Sequence, residues 1–95
     1  MKKPSPATRK NVVGLRVRQA RDRPSLQFSQ AQLSECLKST GIAVCRTMVS
    51  KIESGERYVA DYELVALARC LNVSTAWLLG ETESYGGHRR PRQRT

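Results

Sequence analysis

The segment RTMVSKIESGER, residues 46–57, combines side chains suited to binding a charged surface with side chains suited to a helix core. The apolar ones share one side of a predicted helix and are Met48, Val49 and Ile52. The polar ones can point away from that side and are Arg46, Thr47, Ser50 and Lys51. Two small hydroxyl groups and two long cations can hydrogen-bond to phosphates and base edges. Ordinary solvated helix faces show the same pattern, so both interpretations stay open at this point.

Charge indicates the kind of partner. The chain has 95 residues, with 17 Lys and Arg against 8 Asp and Glu, which gives a net charge of +9. This excess favours a polyanion, with nucleic acid as the first candidate and an anionic membrane surface as the second. Membrane binding needs a basic helix with an open apolar face, whereas the predicted helices use their apolar sides for one core. No apolar run approaches the roughly 20 residues of a membrane-spanning helix, and no signal-peptide pattern follows the basic N-terminus. We therefore expect a cytoplasmic protein without a membrane partner.

Residues that could perform catalysis or bind metal are few and poorly spaced for either. The cysteines are odd in number and match no zinc or disulfide pattern, which predicts free thiols at Cys36, Cys45 and Cys70. The single histidine, His88, lies in a basic C-terminal segment, so neither a Ser/His/Asp set nor a metal site is expected. No glycine-rich phosphate-binding loop is found. We expect no enzyme, no catalytic residue, no metal and no cofactor.

Composition divides the chain into three parts. Residues 1–11 are polar and basic with two prolines, which predicts a flexible N-terminal arm. Residues 81–95 contain glycines, a proline and four arginines without an apolar period, which predicts a disordered basic tail. Residues 12–80 between them show neither strand patterns nor internal repeats. They are predicted to form one small all-α domain of five short helices.

Apolar spacing and capping residues predict the first two helices. The first helix has apolar residues at i, i+4 and i+7, namely Val13, Val17 and Ala20. The second is predicted to begin with a capping box formed by Ser29 and Gln32. A connection containing one glycine follows, and its apolar residues indicate that part of it lies under the core.

Residues typical of helix starts and helix ends define the other three predicted helices. The third helix is predicted at residues 46–54, with Gly55 as its left-handed C-terminal residue. We expect Asp61 to cap the fourth helix and Asn72 to end it. Ser74 is expected to cap the short fifth helix.

Three segments in this order carry a family resemblance: SQAQL, then RTMVSKIESGER, then DYELVALARCLNVSTAWLL. Together they resemble the lambda-repressor-like, Cro-type helix-turn-helix DNA-binding proteins of the XRE family, over residues 12–80. The resemblance implies a compact five-helix fold in which the second and third helices bind double-stranded DNA. It also implies a sequence-specific transcriptional regulator, a repressor in some members, that can act as a homodimer. Other members are antitoxins or restriction-system controllers, so an antitoxin or adaptor with a protein partner is the alternative.

The resemblance assigns DNA-binding roles by position to Gln30, Arg46, Thr47, Ser50, Lys51 and Arg57. Glu53 falls at an acidic family position that is interpreted as structural, holding Arg57 or a backbone amide. Two departures from the family pattern matter. The connection from Lys38 to Cys45 is longer than the usual tight turn, and Cys45 stands where a serine usually caps the third helix. Trp77 and the leucines after it are interpreted as core, with a dimer face as the alternative.

Overall fold

The computed structural model describes residues 9–86, and within them the chain forms five helices. The helices are Gly14–Asp22 (α1), Gln30–Ser39 (α2), Arg46–Ser54 (α3), Asp61–Leu71 (α4) and Thr75–Leu78 (α5). No strand occurs in that part of the chain, so the predicted all-α class is confirmed. Most of the predicted arm and tail, residues 1–8 and 87–95, lies outside the described residues. No described helix has the length and apolar character needed to cross a membrane.

Apolar side chains from all five helices and from the connections between them form one core. The largest fully buried ones are Leu33, Leu37, Ile52, Leu67, Leu71, Leu78, Val17, Val49 and Val73. Burying one side chain of this size contributes about 1.5–3 kcal/mol. Val49 and Ile52 are 0% and 1% exposed, so the inner side of α3 is buried as its spacing predicts. Trp77 is 2% exposed, which confirms its predicted core position, whereas Leu79 remains 39% exposed.

The helix ends largely follow their predicted chemistry. Ser29 Oγ accepts from the backbone N–H of Gln32 at 3.0 Å, and Gln32 Oε1 accepts from the N–H of Ser29 at 2.8 Å, which confirms the capping box. Gly55 after α3 and Asn72 after α4 take the predicted left-handed conformation, with φ of 82° and 57°. Ser74 caps α5 by accepting from the Trp77 N–H at 3.0 Å.

One predicted cap was wrong. The N-cap of α4 is Ala60, and Asp61 is the first residue inside the helix. Glu63 satisfies the free N–H of Ala60 with its carboxylate, at 3.0 Å. Alanine has no side-chain acceptor, so this half of a capping box comes entirely from the glutamate one turn later.

Two of the three predicted free thiols are paired. A disulfide joins Cys36 of α2 to Cys70 of α4, with their Cα atoms 6.0 Å apart, so the prediction of free thiols was wrong for both. The pairing depends on how α2 packs against α4, because 34 residues of sequence separate the two cysteines. Disulfides are rare in reducing compartments, so this pair is at odds with the reducing environment behind the cytoplasmic expectation. Cys45 is free and exposed, as predicted.

The first residues after α5 pack on the helices. The Tyr85 carbonyl accepts from the Ser74 N–H at 2.7 Å, and the Tyr85 ring lies 4.7 Å from the Trp77 ring between centroids. The guanidinium of Arg23 covers the Tyr85 ring at 4.9 Å. Residues 81–86 were assigned to the disordered tail, and the structure places them against α1 and α5.

Candidate nucleic-acid interface

Helices α2 and α3 pack against each other and are joined by residues 40–45. This long connection is held by hydrogen bonds to the last turn of α2: Gly41 N–H to Lys38 O at 2.9 Å and Ile42 N–H to Leu37 O at 3.1 Å. Val44 is 3% exposed, so the connection is partly buried in the core as predicted. The beginning of α3 is therefore fixed relative to α2 even though the turn between them is long.

The outer side of α3 carries the four predicted contact residues, and all of them are exposed: Arg46, Thr47, Ser50 and Lys51. Among residues 9–86, no hydrogen bond or ion pair engages the side chains of Arg46 and Lys51. Both cations are therefore available to an external partner. The side chain of the N-cap residue, Cys45, makes no capping hydrogen bond, because a thiol is a weaker acceptor than the hydroxyl of serine. The backbone N–H of Met48 nevertheless favours the thiolate form and so lowers the pKa of the exposed Cys45 thiol.

Glu53 holds three elements together beneath that outer side. Its carboxylate accepts from Arg21 of α1, at 2.6 Å from Nε and 3.0 Å from Nη2. It also accepts from Gln30 Nε2 at 3.0 Å, which ties the N-terminus of α2 to α3. These bonds raise the pKa of Arg21 above its ordinary value, although burial opposes the shift. Glu53 therefore has the structural role that was predicted for it, but the predicted partners, Arg57 or a backbone amide, were wrong, since its carboxylate binds Arg21 and Gln30.

Gln30 and Ser50 both line one surface depression of about 270 Å³. Arg18 of α1 and Ser54 of α3 complete its exposed rim. The half-buried Gln30 is thus held by Glu53 beside the outer side of α3. The structure brings five of the six predicted contact residues onto α3 and the adjoining end of α2.

Arg57 is the sixth, and its guanidinium is already engaged. Nη1 and Nη2 donate to the two carboxylate oxygens of Glu63 at 2.9 and 3.0 Å, and Nη1 also donates to the Tyr58 carbonyl at 3.0 Å. This pairing lowers the pKa of Glu63 and raises that of Arg57. A bidentate, half-buried pair of this kind favours a structural role for Arg57 rather than the DNA contact that the resemblance implies.

Residues 9–11, assigned to the flexible arm, lie against the C-terminal end of α3. The Lys10 N–H donates to the Gly55 carbonyl at 2.8 Å, and Arg9 Nη2 donates to the Glu53 carbonyl at 2.8 Å. The last carbonyls of a helix lack intrahelical partners, and these donors satisfy two of them near the end of α3. The sequence signal for this contact was weak, because two basic residues in a polar segment are typical of flexible arms.

Asn11 completes the attachment. Its Nδ2 donates to the Ile52 carbonyl at 3.1 Å and to the Arg57 carbonyl at 2.8 Å, and its Oδ1 accepts from the Gly14 N–H at 2.7 Å. One amide therefore bonds the start of α1, the end of α3 and the connection after it. The sequence signal for this role is an asparagine three residues before the start of a helix, a residue type favoured at helix N-termini.

The interface so described has an exposed basic and hydroxyl-bearing side, a buried apolar side, and a glutamate that fixes both to α1 and α2. Arg46 and Lys51, which have no ion-pair partner in the described part of the chain, supply its positive charge. Comparisons with protein-family models, with curated proteins and with solved structures found nothing that matches this chain.

Proposed function

We propose that this protein is a sequence-specific double-stranded DNA-binding regulator of transcription, a repressor, that reads the major groove with α3. The observation that carries the proposal is the division of α3 into two sides. Val49 and Ile52 are buried. On the exposed side, with two hydroxyl groups, are Arg46 and Lys51, neither of which forms an ion pair within residues 9–86. A major groove about 12 Å wide admits an α-helix whose outer residues are small or long and basic.

The residues of α3 divide by role in this proposal. Arg46 lies in the first turn, the part of the helix that reaches base edges in helix-turn-helix docking, and its guanidinium can donate to both acceptors of a guanine. Ser50 lies one turn later on the same side and adds a hydroxyl bond to a base or phosphate. Thr47 and Lys51 lie toward one DNA strand, where Lys51 acts mainly through its charge.

The neighbouring helix supports this docking. Gln30 opens α2 and borders the same depression as Ser50, so a phosphate next to the groove would meet the N-terminus of α2. The positive end of the helix dipole and the free N–H groups of the first turn favour an anion there. The net charge of +9 adds attraction that does not depend on sequence.

A protein partner is the second candidate, and one surface favours it. Residues 40–43 and α4 border a groove of about 590 Å³ on the side of the long connection. Tyr62 and Val65 in its wall are 64% and 42% exposed. Exposed aromatic and aliphatic groups of this kind are typical of protein interfaces. An antitoxin or adaptor would use this groove, with DNA binding secondary.

Selection of bound sequences from a random double-stranded DNA pool tests the proposal. We expect enrichment of one motif, and a palindromic motif with half-sites about 34 Å apart would also show a homodimer. Tyr62→Ala is the matched control, since it alters the groove beside α4 and leaves α3 intact; it should enrich the same motif. The second candidate would be supported instead by two results together. The wild-type protein would enrich no DNA motif, and it would capture a partner protein at high salt that Tyr62→Ala fails to capture.

A further inference from the structure

We propose that Lys10 and Tyr58 form a contact site for a DNA phosphate beside the C-terminal end of α3. The inference rests on the proposed function and assigns to this pair the DNA contact that the family resemblance implies for Arg57. Three observations support it: the attachment of residues 9–11 to the end of α3, the absence of an ion pair at Lys10 among residues 9–86, and the position of the end of a groove-bound helix.

The attachment fixes the position of Lys10. Its own N–H donates to the Gly55 carbonyl, and the residues on either side of it bond to the last turn of α3 and to the connection that follows. Four hydrogen bonds of 2.8–3.1 Å thus hold this short segment at the end of the helix. None of these four bonds uses the Lys10 side chain, so the backbone places the ammonium group at the end of α3 without consuming its donors.

The side chains of Lys10 and Tyr58 lie next to each other. Lys10 Nζ lies 5.6 Å from the centroid of the Tyr58 ring, within the range of a cation–π contact. Tyr58 is 71% exposed and Lys10 is also exposed. Among the residues that the structure describes, no carboxylate forms an ion pair with Lys10. An ammonium group and a phenolic hydroxyl on one small surface provide two kinds of donor that proteins use for phosphate oxygens.

Arg57 cannot easily serve this role, although it is the adjacent cation. Both terminal nitrogens of its guanidinium are bonded to Glu63, and releasing them would leave a carboxylate with only 11% of its side chain exposed. Breaking such a pair is unfavourable because the remaining charge is poorly solvated. Within residues 9–86, Lys10 has no carboxylate partner to give up.

The geometry of docking indicates a phosphate rather than a base. The N-terminal residues of a groove-reading helix contact base edges, and α3 rises about 12 Å from Arg46 to Ser54 at 1.5 Å per residue. Its C-terminal end therefore lies toward the edge of the groove, where the phosphate backbone runs. A contact there adds affinity that does not depend on base sequence.

Salt-dependent binding of the full chain to the selected DNA tests this pair. Lys10→Ala should weaken binding to every sequence alike, with an affinity about fivefold to tenfold lower at 0.1 M salt. The negative slope of log K against log salt should become less steep by about 0.9. Lys10→Arg should keep the slope. Arg69→Ala is the control, because it removes one exposed positive charge from the last turn of α4. Tyr58→Phe should bind more weakly than wild type, since the phenolic donor is lost while the ring remains.

The outcomes separate this inference from the proposed function. Thermal unfolding first verifies that Lys10→Ala remains folded, as expected when its attachment is through the backbone. If the wild-type protein binds with a sequence preference and Lys10→Ala gives the same slope as Arg69→Ala, the phosphate site is wrong and the proposed function stands. If the wild-type protein binds no DNA at low salt, both are overturned.

Discussion

Arg21 of α1 donates two hydrogen bonds to Glu53 of α3, at 2.6 and 3.0 Å, and both side chains are nearly buried, with 11% and 6% exposed. The same carboxylate accepts from Gln30 at the start of α2. The helix that we propose to read DNA is thus held to both of its neighbours by one acidic group beneath its exposed side. This arrangement has a direct energetic consequence.

Glu53→Ala should lower the free energy of unfolding by about 3–5 kcal/mol, because the nearly buried Arg21 guanidinium loses its buried carboxylate partner and keeps the exposed Asp22, 3.3 Å away. Urea unfolding followed by circular dichroism measures this change. The control is Glu35→Ala, which removes an exposed carboxylate paired with Lys38 at 3.5 Å and should alter stability by less than about 0.5 kcal/mol. Equal effects of the two substitutions would show that the buried pair contributes little.

The Cys36–Cys70 disulfide should stabilise the domain by about 2–4 kcal/mol, since it closes a long loop that contains all of α3. Adding a thiol reductant should therefore lower the unfolding midpoint of the wild-type protein. Cys36→Ser should match the reduced wild type and should not respond to reductant. Cys45→Ser should respond as the wild type does, because Cys45 is free. A wild-type midpoint that reductant leaves unchanged contradicts the pairing.

Glu63 should make stability depend on pH in the acid range. Hydrogen bonds from Arg57, and then from the Ala60 backbone, hold the pKa of Glu63 below its ordinary value, which is about 4.3 in an unfolded chain. A lowered folded-state pKa means that the pair contributes stability fully above that unfolded value and loses it as pH falls through the folded value. The difference in unfolding free energy between wild type and Glu63→Gln should be large at pH 7 and shrink at pH 3. A difference that is constant with pH would exclude this linkage.

Gly14→Ala should destabilise the domain, although alanine restricts the unfolded chain more than glycine does and Gly14 is the first residue of α1. A Cβ atom at this position would overlap the Ile52 carbonyl oxygen, which is held in place by Asn11. We expect a net loss of about 1–3 kcal/mol from this overlap. Gln19→Ala on the exposed side of α1 is the control and should leave stability nearly unchanged. Stabilisation by Gly14→Ala would mean that α1 and α3 are further apart than described.

The helices could be predicted because their signals are local. The Ser29–Gln32 capping box, Gly55 and the apolar spacing of Val49 and Ile52 each specify one element, and the structure agrees with all of them. The outward side of α3 followed from the same spacing. Its role toward DNA remains a proposal, since it concerns a partner and not the fold.

Contacts between elements could not be predicted in the same way. Glu53 was expected to hold Arg57 or a backbone amide, and its pairing with Arg21 depends on how α1 packs against α3. The Arg57–Glu63 pair depends on the conformation of the connection before α4. The disulfide between Cys36 and Cys70 likewise requires two helices that are distant in sequence to meet.

Binding of Arg46→Ala to the selected DNA and to its single-base variants tests the central claim most directly. If α3 reads the major groove, Arg46→Ala should stay folded and lose about 1–3 kcal/mol of discrimination at one base position per half-site. Lys51→Ala is the matched control from the same helix side and should weaken binding to every variant alike. The negative slope of log K against log salt should become less steep by about one. An Arg46→Ala protein with unchanged affinity and unchanged base preference at moderate salt would contradict groove reading by α3.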